Sequence, residues 1–248
     1  MELYKAIYGD SWKENIVLSS VPLWKYDKQI PIANASGCLI NYKNNVFLVS
    51  IAHASIAESE WNVEVKAVEK VGDHFGTILQ PIKMQPLAEF KITPNGTGFT
   101  EPKIVDFTYR KVSDTFKSTH CLGIINQNQL MESDRTVFST NFQDIPSEEK
   151  KYGFYGKVKF NGVKGKLMDF QHRIESDLEY IGKKDEFYVF RLSHKYGSHA
   201  NYVGCSGAPI IDQDNKVVAL VSYGVKSENC IYAIDIAKYR AALDIELL

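Results

Sequence analysis

The chain is 248 residues long, 44% apolar and 24% charged, with 29 basic against 30 acidic residues and a formal net charge of -1. That composition belongs to a globular chain able to bury a sizeable core, and the charge balance removes any bulk electrostatic case for a nucleic acid or an anionic membrane as partner. No run of eighteen apolar residues occurs, so no membrane-spanning helix is expected.

The N-terminus, Met1 to Asp10, has no basic segment followed by a continuous apolar stretch and a small-residue cleavage site, which reads as a cytoplasmic chain. The four cysteines, Cys38, Cys121, Cys205 and Cys230, are widely spaced and form no C-x-x-C pair; they read as free thiols. Asn34-Ala35-Ser36 and Asn95-Gly96-Thr97 match the glycosylation sequon, which carries no meaning in a cytoplasmic chain.

From Leu18 onward, short apolar or alternating segments follow one another: Val21 to Trp24, Gly37 to Tyr42, Val46 to Ile51, Trp61 to Val68, Thr77 to Pro81, Glu89 to Ile92 and Ile104 to Arg110. Their spacing and the Gly, Asn, Pro and Asp between them predict an antiparallel barrel or sandwich, with a hairpin turn at Lys43-Asn44-Asn45. Ser113 to Lys117 reads as a linker. A second series follows at Cys121 to Ile125, Thr136 to Ser139, Tyr152 to Phe160, Gly165 to Arg173 and Phe187 to Leu192. It continues through a hairpin at Asp212 to Lys216 and a last strand, Cys230 to Ile234. Asp235 to Leu248 predicts a helix, with Asp235 as its cap and Ile236, Tyr239, Leu243 and Leu247 at helical spacing. Two β-rich halves, 1–117 and 118–248, are therefore expected, the second ending in that helix.

Within the second half, Gly204-Cys205-Ser206-Gly207-Ala208-Pro209 places a serine between two glycines ahead of two apolar strands. A nucleophilic serine needs a tight turn that projects its hydroxyl and gathers N–H groups around the developing oxyanion, and glycine adopts such conformations at little steric cost. An ordinary Gly/Ser turn between core strands has the same composition. The nucleophile needs a base and an acid to orient it. His53 follows the apolar strand Val46 to Ala52, where the alternative is a partly buried histidine closing a strand. Asp106 interrupts the apolar strand Ile104 to Tyr109, where a buried carboxylate requires a partner and an edge strand would turn it to solvent.

The order His53, Asp106, Ser206 resembles that of the chymotrypsin-like (trypsin-like) serine peptidases, and local sequences agree. Ser36-Gly37-Cys38-Leu39-Ile40 with Phe47 to Ala54 resembles the family's histidine hairpin; Gly204 to Pro209 resembles Gly-Asp-Ser-Gly-Gly-Pro; Ser222-Tyr223-Gly224 resembles the Ser-Trp-Gly segment that pairs with substrate backbone. The resemblance implies an all-β fold of two antiparallel six-stranded barrels with a C-terminal α-helix. His53 and Asp106 would come from the first barrel and Ser206 from the second. It implies a serine endopeptidase acting on a peptide or protein substrate without metal or organic cofactor, with Gly204 and Ser206 N–H groups as the oxyanion hole. Substrate contacts would come from Ser222, Tyr223 and Gly224, and a primary pocket from Ala200, Gly224 and Cys230. A catalytically silent scaffold or peptide-binding module of the same fold is the alternative.

Two departures are informative. Cys205 stands where many members carry the aspartate of the zymogen switch, so control, for instance by a regulatory protein, would have to arise elsewhere. None of the expected pocket residues is acidic, which predicts an uncharged side chain at the scissile residue, with His194 and His199 as nearby loop residues.

Overall fold

The computed structural model describes residues 10–27, 30–55, 60–71, 74–126, 129–164 and 167–248; most of the N-terminal segment read above, and Gly165 at the start of one expected strand, lie outside them. A helix the sequence reading did not anticipate, α1 (Ser11–Ser19), opens the described chain, with the Asp10 carboxylate accepting from the Lys13 N–H at 3.1 Å as its N-cap. Strands β1 (Val21–Asp27), β2 (Ile30–Tyr42) and β3 (Asn45–Ser50) follow, then a short helix α2 (Ala52–Ser55). Next come β4 (Trp61–Val71), β5 (His74–Ile82), β6 (Gln85–Glu89), β7 (Lys103–Lys111), β8 (Thr119–Asn126), β9 (Gln129–Asp134) and β10 (Val137–Ser139).

The β2–β3 hairpin shows why these residues make strands. Lys43 and Asn44 both take positive φ, 50° and 60°, and so form a tight two-residue turn that pairs Tyr42 with Asn45 and Leu39 with Leu48. Because successive side chains alternate faces, Cys38, Ile40, Phe47 and Val49 enter a core shared with the C-terminal segment, while Leu39 and Leu48 enter a second core with Val21, Leu23, Trp61 and Val63. Both faces are covered, as the unbroken apolar runs require.

The second half is β11 (Lys151–Lys164), β12 (Leu167–Lys184), β13 (Phe187–Arg191), β14 (Pro209–Asp212), β15 (Val217–Val225) and β16 (Cys230–Ile234). These six close into a barrel in the order β11-β12-β13-β16-β15-β14. The N-terminal strands instead join a ten-stranded sheet along the path β6-β7-β3-β2-β1-β4-β8-β9, with β5 on β4 and β10 parallel to β2. Strands β8 to β10, which the sequence reading placed beyond residue 117, hydrogen-bond into this N-terminal sheet.

After β16, Asp235 accepts from the Ala237 N–H at 3.0 Å and caps a 3₁₀ turn, Ile236–Tyr239, which leads into α3 (Arg240–Glu246). Ile236, Tyr239 and Leu243 are buried at the helical spacing expected, and Tyr239 stacks on Phe107 of β7 with centroids 4.7 Å apart. The segment after β16 is thereby fixed against the N-terminal sheet. No helix among the described residues is long and apolar enough to cross a membrane, and the four cysteines form no disulfide.

Candidate active site

His53 sits on α2, immediately after β3 leaves the core at Ile51. The helix is tied down by Ser55, whose hydroxyl bonds the Ile51 carbonyl at 2.6 Å and the Thr108 hydroxyl at 2.7 Å. That bond brings α2 alongside β7, which carries Asp106. The Asp106 carboxylate accepts from the His53 backbone N–H at 3.0 Å, and His53 Nδ1 lies 2.9 Å from both of its oxygens. Burial opposes the charge of Asp106, but the hydrogen bonds from the His53 ring and backbone and from the Ser222 hydroxyl outweigh it, holding the carboxyl below its ordinary range. An ionised acceptor fixes the proton on Nδ1 and leaves Nε2 free as a base.

Ser206 follows a turn that only glycine can make. Gly204 and Gly207 adopt φ of 96° and 87°. A Cβ on Gly204 would meet Asn34 Nδ2 at 2.0 Å and the Lys157 carbonyl at 2.3 Å; one on Gly207 would meet the Ser36 carbonyl at 2.1 Å. The N-terminal sheet grips this turn directly: the Ser36 N–H donates to the Ser206 carbonyl at 2.9 Å and the Ser36 hydroxyl to the Gly204 carbonyl at 2.8 Å. The N–H groups of Cys205, Gly207 and Ala208 donate to the carbonyls of Tyr202, Val221 and Cys205. Among the described residues, nothing accepts from the N–H of Gly204 or Ser206.

His53 and Ser206 line one cleft of about 550 Å³. The Ser206 hydroxyl donates to the Ser222 carbonyl at 3.1 Å rather than to His53. Ser222, expected as a substrate contact, is buried and bridges the two halves, since its own hydroxyl donates to Asp106 Oδ2 at 2.9 Å. Ser222, Tyr223 and Gly224 all line the cleft. Cys205 is fully buried against Gly156, and loss of solvent pushes its thiol well above the ordinary value, which makes it inert packing.

The expected pocket residues divide. Ala200 is exposed on the 3₁₀ turn His199–Asn201 and is not part of the cleft wall, while His199 and Tyr202 on either side are. Cys230 is buried with Val189 and Tyr232 on the other face of β16, and its neighbour Ile231 lines the cleft. The pairing of Gly224 with Ile231 and of Val225 with Cys230 explains this: a reading one residue out puts the wrong side chain on the wall. Behind Gly224 lies Tyr196, whose ring atom Cε2 would be 2.4 Å from a Cβ at that position. Asn34, read from sequence only as part of a sequon, donates to the Lys157 carbonyl at 2.6 Å and packs against Gly204. Among the described residues, no cluster of histidine, cysteine or carboxylate side chains is arranged to hold a metal.

No family model and no curated protein matches this sequence. Solved structures do. A serine endoprotease from Yersinia pestis aligns with a TM-score of 0.54 at 12% identity, over 95% of this chain and 65% of that one. The Rv3671c protease of M. tuberculosis in an inactive form (13% identity, TM-score 0.47, 96% and 94% coverage) and the MamO protease domain of Magnetospirillum magneticum (11%, 0.45, 92% and 97%) also align. This chain spans about two thirds of the Yersinia chain. At these identities the likeness is one of fold, which is that of the chymotrypsin-like serine protease domains.

Proposed function

We propose that the chain is a serine endopeptidase whose triad is His53, Asp106 and Ser206. The observation that carries this reading is the convergence on one cleft of an Asp-paired histidine and a serine flanked by two unpartnered N–H groups. In this reading the Ser206 hydroxyl leaves the Ser222 carbonyl, to which it donates at 3.1 Å, and donates to His53 Nε2 instead. The serine oxygen then attacks a peptide carbonyl as Nε2 takes its proton, and the Gly204 and Ser206 N–H groups hold the oxyanion. His53 returns the proton to the departing amine. Water then hydrolyses the acyl-serine by the same steps, with Asp106 stabilising the imidazolium throughout.

An active-site fluorophosphonate tests this. Labelling is expected on the intact chain and is lost in Ser206→Ala. The competing reading, a silent module that binds peptides, is favoured by the hydrogen bond that turns Ser206 away from His53; a folded wild-type chain that stays unlabelled would leave that reading standing instead.

The cleft wall supports a preference for small uncharged side chains. Among the described residues no carboxylate lines it, Ile231 lies beside Gly224 as its cross-strand neighbour, and Tyr196 fills the space behind Gly224. A peptide panel with Ala, Val, Leu, Phe, Glu and Arg before the scissile bond is expected to rank Ala and Val first; strong cleavage after Arg would sink this assignment. The substrate is a polypeptide, and we place the activity in the cytoplasm.

A further inference from the structure

Beneath the turn that carries Ser206 lies a charged cluster that the mechanism above does not use. Glu175 of β12 is buried, and its Oε1 accepts from the Tyr202 hydroxyl at 2.9 Å and from Arg173 Nε at 2.6 Å. Arg173 Nη2 in turn donates to the Tyr202 oxygen at 2.8 Å, with the guanidinium carbon 4.8 Å from the centre of the Tyr202 ring. The other carboxylate oxygen, Oε2, takes a 2.8 Å hydrogen bond from Nε2 of His194, the exposed member of the group. The Tyr202 ring is stacked on Tyr196 at 4.5 Å, so the residue is held at both its face and its hydroxyl. Burial, then the charge of Glu175, pushes the Tyr202 phenol up, so it stays a donor throughout the neutral range.

Tyr202 matters because of what its backbone does. Its carbonyl accepts from the Cys205 N–H at 2.9 Å, closing the turn whose Gly204 and Ser206 N–H groups are left without partners. We infer that Glu175 is a positioning residue which, by fixing the Tyr202 hydroxyl, sets the shape of the turn from Tyr202 to Ser206 and so the aim of its two free N–H groups. The inference rests on the peptidase reading for its catalytic consequence, and the geometry of the turn is measurable without it.

The two variants that test this are Tyr202→Phe, which keeps the ring and its stack, and Glu175→Gln, which keeps the shape of the carboxylate. In each, kcat on a small peptide ester is expected to fall about tenfold with KM within about twofold, and the rate of fluorophosphonate labelling to fall in proportion. Combining them should cost little more than the worse single change, because both act through one hydroxyl. Amide exchange at Cys205 should quicken in both. Wild-type kcat together with unchanged Cys205 exchange in folded Tyr202→Phe would overturn the inference, whatever becomes of Glu175→Gln. If the wild-type chain is itself unlabelled, the peptidase reading fails, and Cys205 exchange alone decides whether Glu175 holds the turn.

Discussion

Asp106 illustrates how one residue is held by both halves of the chain. Its carboxylate takes two donors from His53 and one from Ser222, which arrives from the other half on β15. A hydrogen bond to a charged acceptor is worth about 1.5–3 kcal/mol, so Ser222→Ala is expected to lower kcat about tenfold or more while KM stays within about twofold, as steady-state kinetics on a peptide ester would report. Gly204→Ala makes a sharper prediction. The new methyl would collide with Asn34 and the Lys157 carbonyl at a positive φ, at a cost of about 1–3 kcal/mol for the backbone conformation alone. Loss of fluorophosphonate labelling with a lowered urea midpoint is the expected result; a labelled variant of unchanged stability would show that the turn tolerates a side chain.

At the scale of elements, what could be read from sequence was whatever local chemistry determines. The β2–β3 hairpin was legible because a two-residue turn and strict alternation leave one register, and the C-terminal segment because Asp235 caps it and its apolar residues follow helical spacing. Helix α1 was not, since Ile16, Val17 and Leu18 are consecutive rather than spaced along one helical face, although all three are buried. On β16 the motif was found but the face was not, because nothing local distinguishes Cys230 from Ile231; only the pairing with β15 does. That register has a testable consequence. Ile231→Gly should widen the wall beside Gly224 and raise kcat/KM for Phe over Ala before the scissile bond by about tenfold or more, and an unchanged ranking would mean that Ile231 does not bound the pocket.

Across the whole molecule, the two halves are joined by buried charge. Glu64 of β4 accepts from Lys157 Nζ of β11 at 2.6 Å and from Arg135 Nη2 at 3.0 Å, all three side chains being nearly or fully inaccessible. Burial works against the Glu64 charge, and the two cations beside it overcome that, keeping its carboxyl below the ordinary range. Removing the single anion, as in Glu64→Leu, leaves two buried cations, so a loss of about 3–5 kcal/mol is expected from urea unfolding. No sequence pattern announced this contact, because its members lie far apart along the chain, two on strands with non-local pairing and Arg135 on the connection between β9 and β10. The same distance hid the joining of β8 to β10 to the N-terminal sheet.

His120 adds a pH dependence to this core. It accepts from Arg135 Nη2 through Nδ1 at 3.2 Å, and burial, reinforced by Arg135 and Lys157, holds its imidazole well below the ordinary 6.5. The folded chain therefore keeps His120 neutral where the unfolded chain takes up a proton. Stability is full above the unfolded value and is lost as pH falls through it toward the folded one. Between about pH 7.5 and about pH 5.5 this one group should cost about 1.4 kcal/mol. Denaturant midpoints at the two pH values check this, and His120→Gln should shrink the difference by about that amount.

The division of the site between the two ends of the chain also bears on how the protein is made. A ribosome delivers His53 and Asp106 before Ser206, the Ser222 donor to Asp106 and the Tyr239 ring on Phe107. A nascent chain would carry half a site through most of its translation and complete it only when β15 and the closing turn have emerged. On the peptidase reading, the order of synthesis itself keeps the unfinished enzyme from cutting the polypeptide it is attached to.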